Sequence, residues 1–126
     1  KIFFVAQAAA DYVVNLPKLS TEIAGWSATF LVTTPPDALS SYGDDVQINA
    51  YGVGIDGDAS AGDANTVYVV DIAAGTNAYT AGADGIKFEE DSAKVPGMIE
   101  IYTDGSYWYA LGTGGGANEI RPVPES

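Results

Sequence analysis

The chain contains no cysteine and no histidine, and only 5 of its 126 residues are Lys or Arg. Without cysteine there is no disulfide to staple the fold and no thiolate to act as nucleophile or metal ligand. Without histidine the usual general base is missing, along with the commonest metal ligand and every Ser-His or Cys-His nucleophile arrangement. The scarcity of cations, set against 17 Asp and Glu, leaves no basic patch to meet a phosphate backbone, so nucleic acid is excluded as a partner. No apolar run approaches the roughly 18 residues that a membrane-spanning helix needs, and no membrane partner is expected. Helical periodicity is nearly absent: one turn within Leu19 to Ala24, after Ser20 or Thr21, is all the pattern allows. No period of 20 to 50 residues repeats, which argues against solenoids and propellers.

What is present is a succession of short β-prone stretches. Ile2 to Gln7, Asp11 to Leu16, Trp26 to Thr33, Val46 to Tyr51, Thr66 to Ile72, Ile86 to Glu89, Met98 to Thr103, Ser106 to Leu111 and Glu119 to Val123 read as strands separated by Gly, Asp, Asn and Pro clusters. Pro35-Pro36 ends the third of them. The expected fold is all-β, an antiparallel β-sandwich or partly closed barrel of about 7 to 9 short strands with at most one helical turn. Residues 1–10 form an amino-terminal arm or edge strand, 11–112 the β domain, and 113–126 a Gly-rich connection with a carboxy-terminal strand or tail.

The most regular stretch is IEIYTDGSYWYALG, residues 99–112. Asp-Gly between alternating strands predicts a two-residue type I′ turn at Asp104-Gly105, with Thr103 facing Ser106. On that register Ile101 faces Trp108 and Ile99 faces Ala110 on one side, while Tyr102 faces Tyr107 and Glu100 faces Tyr109 on the other. The first side is core, and with it Trp26, Phe30, Ile101 and Trp108 are its expected anchors. The second, carrying Tyr102, Tyr107 and Tyr109, is half-wet and wants cover from a layer, a neighbouring subunit or a ligand. The IFFV stretch, Ile2, Phe3, Phe4 and Val5, is too hydrophobic to stand in water and is the other candidate interface.

Three motifs invite a chemical reading. Asp56, Asp58 and Asp63, in the irregular stretch Gly52 to Asn65, could gather oxygens around Ca²⁺. The spacing is not that of an EF-hand, because Ala61 stands at the turn glycine and Val67 at the bidentate Glu, and an exposed acidic loop is the plainer reading. Gly112 to Gly116 lacks the Lys-Ser or Lys-Thr of a phosphate-binding loop. Glu89-Glu90-Asp91 places its acids side by side, whereas catalytic carboxylate pairs flank a cleft from separate elements. No catalytic residue and no cofactor are assigned, and the chain is read as a non-enzyme. A carboxylate-pair glycosidase is the one enzymatic form the composition allows.

Tyr12 to Pro17 (YVVNLP), Ala24 to Val32 (AGWSATFLV), Val46 to Ala50 (VQINA) with Ile55-Asp56-Gly57, and Ile99 to Gly112 occur in an order that resembles a small β module of bacteriophage virion proteins, found in tail-fibre segments and stand-alone head proteins. The resemblance spans most of Asp11 to Gly112, and the acidic loop and the Tyr79-to-Phe88 region depart from it. It implies a structural protein on the outer surface of the virion that binds other virion proteins (the major capsid protein, or fibre and tail proteins), usually as a symmetric oligomer. Since the module fills the chain with no stalk, a capsid decoration protein is favoured, in homo-oligomers and most simply trimers. The alternatives are a tail-fibre or receptor-binding module for host surface glycans and a free carbohydrate-binding β-sandwich, both of which would use the tyrosine face.

Overall fold

Alternation of apolar and polar residues builds two sheets, each with one oily face, and burying those faces against each other makes the core. The computed structural model describes residues 1–5, 12–33, 46–57, 60, 62–73, 76–89, 97–113 and 120–124. The described strands are β1 (Ile2–Val5), β2 (Tyr12–Asn15), β3 (Ser27–Val32), β4 (Val46–Asn49), β5 (Val67–Ala73), β6 (Thr76–Ala83), β7 (Gly85–Phe88), β8 (Met98–Thr103), β9 (Trp108–Thr113) and β10 (Ile120–Val123). One 3₁₀ turn, Thr21–Ile23, follows Ser20. The fold is therefore all-β as expected, with ten strands among the described residues against the expected 7 to 9, in a six-stranded sheet ordered β1-β3-β8-β9-β5-β6 and a four-stranded sheet ordered β10-β7-β4-β2. Neither closes into a barrel.

Both sheets are mixed rather than purely antiparallel. β1 runs parallel to β3, β2 to β4, and β5 to β9, while the remaining pairings are antiparallel. The strand that sequence reading missed is β6, whose TNAYTAGA lacks the β-branched alternation of its neighbours. It forms because β5 offers it a ladder, with a register shift between Val67 and Val69. Pro122 sits inside β10 without breaking it, since β10 is an edge strand that can forgo one donor.

Between the sheets lies one hydrophobic cluster: Phe30, Val32, Ile99, Ile101, Trp108, Val67 and Val69 from the larger sheet meet Val46, Ile48, Ile86, Phe88 and Ile120 from the smaller. Trp108 and Ile101 are fully buried and Phe30 nearly so. Trp26 is only half-buried, its ring edge-on to Trp108 at 5.5 Å between centroids. Gly112 lies directly under Ile120, so close that a Cβ there would fall 2.5 Å from the Ile120 side chain.

The 99–112 hairpin differs from its expected register. Thr103 pairs with Trp108, Tyr102 with Tyr109, Ile101 with Ala110, Glu100 with Leu111 and Ile99 with Gly112, so that the second arm begins at Trp108 and Tyr107 belongs to the loop. The reason is the Asp104 carboxylate. Its Oδ1 accepts from Ser106 N at 2.8 Å and Tyr107 N at 2.9 Å, and Thr103 Oγ1 accepts from Gly105 N while donating to the Tyr107 carbonyl. These side-chain bonds open a four-residue loop in which Gly105 has positive φ (94°) and Asp104 does not, so the two-residue type I′ geometry is not met. Because the slip is two residues, every side chain keeps its assigned face.

Candidate functional site

The outer face of the six-stranded sheet follows from the registers. One cross-strand row reads Ser27, Tyr102, Tyr109, Tyr68 across β3, β8, β9 and β5. The next reads Ile2, Thr29, Glu100, Leu111, Val70, and a third Phe4, Leu31, Met98, Thr113. Tyr107, from the hairpin loop, joins the first row by packing edge-on against Tyr68 at 5.4 Å. Sequence reading treated the tyrosines and the amino-terminal strand as separate candidates; the parallel pairing of β1 with β3 places Ile2 and Phe4 on the tyrosine face.

These side chains stand in the open. Phe4 is 71 % exposed, Ile2 62 %, and Tyr102, Tyr107 and Tyr109 more than 40 %. Two of the four candidates in β1 point the other way: Val5 is buried in the core, and Phe3 stacks on Phe30 at 5.0 Å while leaving 42 % of its surface open. Val5 therefore drops out as an interface residue, because alternation along β1 sends it inward. A shallow groove of about 330 Å³ runs between Tyr102 on one side and Tyr68, Tyr109, Val70 and Leu111 on the other.

Across those three rows Glu100 is the one carboxylate among the described residues, and there is no Lys or Arg. The Tyr102 hydroxyl donates to Glu100, and the Tyr109 hydroxyl donates to Asp104 Oδ2 at 2.9 Å. Each pair has electrostatic consequences. The hydrogen bond to Glu100 raises the Tyr102 pKa above its ordinary value, and the bond to Asp104 does the same for Tyr109. Asp104 is lowered, first by the Tyr107 and Ser106 amides and then by the Tyr109 hydroxyl. The rings of Tyr68 and Tyr109 are nearly parallel, 11° apart with centroids at 5.5 Å. They spend part of their faces on each other, which suits a packed protein contact better than a flat sugar platform.

The described part of the acidic stretch is tied down at Asp63 and Val53. Asp63 Oδ2 accepts from Leu19 N at 2.9 Å, Asp63 N donates to the Tyr51 carbonyl, and Val53 is buried. Gly62 lies so tightly against Tyr51 that a Cβ would fall 1.9 Å from its carbonyl oxygen. Of the candidate calcium ligands, Asp56 bonds Gln47 and Asp63 bonds Leu19, and Asp58 lies outside the described residues. Among the described residues no group of three acids is gathered as a metal site. Glu90, Asp91 and Gly114 to Gly116 also lie outside the described residues.

Apart from Asp56, whose carboxylate meets Gln47, sequence reading singled out nothing on the far face of the four-stranded sheet. There Gln47, Lys87 and Arg121 form a row, beside Asn15, Asn49, Gly85 and Val123. Gln47 and Asn49 are fully buried and Lys87 is nearly so. The available signal was the placement of Lys87 and Arg121, two of the chain's five cations, inside the apolar strands GIKF and IRPV. No protein-family model matches the chain, and comparison with curated proteins and with solved structures finds no similar protein.

Proposed function

We propose that this chain is a structural protein of the outer surface of a bacteriophage particle, a capsid decoration protein that seats the outer face of its six-stranded sheet on other virion proteins and on copies of itself. The virion location rests on the resemblance of the 11–112 segment to phage β modules. The observation that carries the binding role is the face itself: three cross-strand rows in which aromatic and aliphatic side chains outnumber the polar Ser27, Thr29, Glu100 and Thr113, with Glu100 the one charge, on a chain of net charge −12. Exposed apolar faces of this kind mark sites of association. Tyrosine and phenylalanine supply large rigid contact area, and the Glu100 and Asp104 carboxylates are already satisfied by tyrosine hydroxyls. Among the described residues β1 is the edge strand at one border of the same face, and an edge strand offers main-chain groups to a partner.

The test is sedimentation of the purified protein, with co-sedimentation on capsids stripped of it. Wild type is expected to form trimers and to bind capsids; Tyr102→Ser with Tyr109→Ser, and separately Ile2→Ser with Phe4→Ser, are expected to do neither while keeping the wild-type melting temperature. A wild-type monomer that also ignores capsids would defeat the proposal. A glycan-binding reading of the same face, as a tail-fibre receptor-binding module or a free carbohydrate-binding module, has one observation in its favour: Glu100 and Asp104 stand beside the tyrosine rings as polar partners. A glycan array probed with wild type and the tyrosine double variant separates it from decoration.

A further inference from the structure

The far face of the four-stranded sheet carries a pocket that the decoration role does not use. It measures about 210 Å³ and is lined by Gln47, Asp56, Lys87, Val123 and Pro124. Gln47 does more than line it. Its Nε2 donates to Asp56 Oδ1 at 3.0 Å while its Oε1 accepts from Asp56 N at 2.9 Å. That two-point clamp from a fully buried amide holds Asp56 in the left-handed region, with φ of 65°. Asn49 steadies the clamp in turn, donating to Gln47 Oε1 at 3.2 Å and to the Gly54 carbonyl at 2.9 Å. A non-glycine residue kept at positive φ by buried side chains is the kind of local strain that clusters at binding sites.

The chemistry of the walls selects the occupant. Asp56 and Gln47 offer an acceptor and an amide, and Lys87, ion-paired with Glu89 at 3.1 Å, offers an ammonium whose charge is balanced. Arg121 stands next to Lys87 across the β7–β10 ladder. Asp56 and Lys87 are the charged residues of the lining, one of each sign, so the walls themselves are neutral, on a chain that repels anions, and neither an anion nor a cation is favoured. Val123 and Pro124 supply the apolar part of the lining. We propose that the pocket binds a neutral, vicinally hydroxylated ring, a single pyranose unit, with its hydroxyls on Asp56, Gln47 and Lys87 and its C–H face on Val123 and Pro124. The volume is below the roughly 300 to 1,000 Å³ of clefts for drug-sized ligands, which limits the occupant to one such unit. This site lies on the opposite sheet from the tyrosine face and stands whether or not that face binds a capsid.

The experiment is an amide-resolved NMR titration of ¹⁵N-labelled protein with D-glucose, D-galactose, D-mannose and N-acetylglucosamine in turn, with glycine and inorganic phosphate as probes of a zwitterion or anion site. At least one pyranose is expected to move the Gln47 side-chain NH₂ and the Asp56 and Lys87 amides saturably, with a Kd on the order of 1 mM. Asp56→Asn, which tolerates the left-handed backbone and exchanges the carboxylate for a neutral amide, and Lys87→Met should each weaken binding by roughly tenfold, as loss of a charged hydrogen bond does. Tyr102→Ser should leave it unchanged. Saturation by none of the four sugars overturns the proposal, as does saturation by phosphate or glycine instead, or shifts that map to Tyr68, Tyr102 and Tyr109. If Lys87→Met does not fold, the wild-type shift map together with Asp56→Asn still decides.

Discussion

Trp108 shows how one residue joins local pattern to core. It opens β9, is fully buried, and meets the edge of Trp26. Trp108→Ala should cost about 3 to 5 kcal/mol, the range for truncating a buried large aromatic, read from chemical denaturation. Its indole Nε1 has no hydrogen-bond acceptor among the described residues, and a buried orphan donor carries a penalty of about 1 to 3 kcal/mol. Trp108→Phe, which removes that donor and keeps most of the ring, should therefore lose less than half as much stability as Trp108→Ala; equal losses would show that the indole N–H is satisfied in solution. Gly85 makes the opposite case, a residue defined by what it lacks. A Cβ there would fall 2.1 Å from Asn49 Oδ1 and 2.6 Å from the Ile48 carbonyl oxygen. Gly85→Ala should cost at least about 2 kcal/mol through overpacking, and Asn49→Ala should not fully rescue it, because the backbone clash remains.

At the scale of elements, the β8–β9 hairpin is tuned by protonation at its tip and on its outer face. Asp104 is held below the ordinary carboxylate range by the Tyr107 and Ser106 amides, so its contribution to stability is complete above the unfolded pKa near 4 and fades as pH falls through its lower folded value. Tyr102 and Tyr109 are raised by their bonds to Glu100 and Asp104, so theirs is complete below about pH 10 and fades as pH rises through the folded values. Asp104→Asn should flatten the acid limb of the melting-temperature profile, and Tyr102→Phe with Tyr109→Phe the alkaline limb. All three groups are exposed, so the effects are small; unchanged limbs in both variants would show that these bonds do not persist in water. The connection from β4 to β5 obeys a different logic, with Asp63 tying it to the Leu19 amide. Asp63→Ala should lower stability by about 1 to 2 kcal/mol, with calcium or chelator making no difference if the carboxylate serves only that bond.

Over the whole molecule, charge and the apolar face oppose each other. At net −12 per chain, copies repel through a field that salt screens over about 10 Å at 0.1 M, whereas the association proposed through the tyrosine face would draw little on charge. The proposed self-association should therefore strengthen as salt rises, by analytical ultracentrifugation; weakening with salt would mean that any contact between copies is held by charge instead.

The sequence determined the class of fold, most strand positions, the single helical turn and the two unlike faces of the 99–112 hairpin, because a period of two along a strand is local and survives a register slip of two. It excluded histidine and cysteine chemistry by composition alone. It could not place β6, since Thr, Asn, Ala and Gly become a strand only when a neighbour supplies the ladder, and it could not decide which strands run parallel. Those pairings were left to the tertiary structure, and they assemble both candidate sites. Parallel pairing of β5 with β9 brings Tyr68 beside Tyr109, and that of β1 with β3 adds Phe4 and Ile2. On the far sheet, β4 and β7 set Gln47 beside Lys87, and the following turn folds Asp56 back over Gln47. Local pattern says which way a side chain points, but only the closure of long loops decides what it meets, because that choice depends on burying the whole core at once.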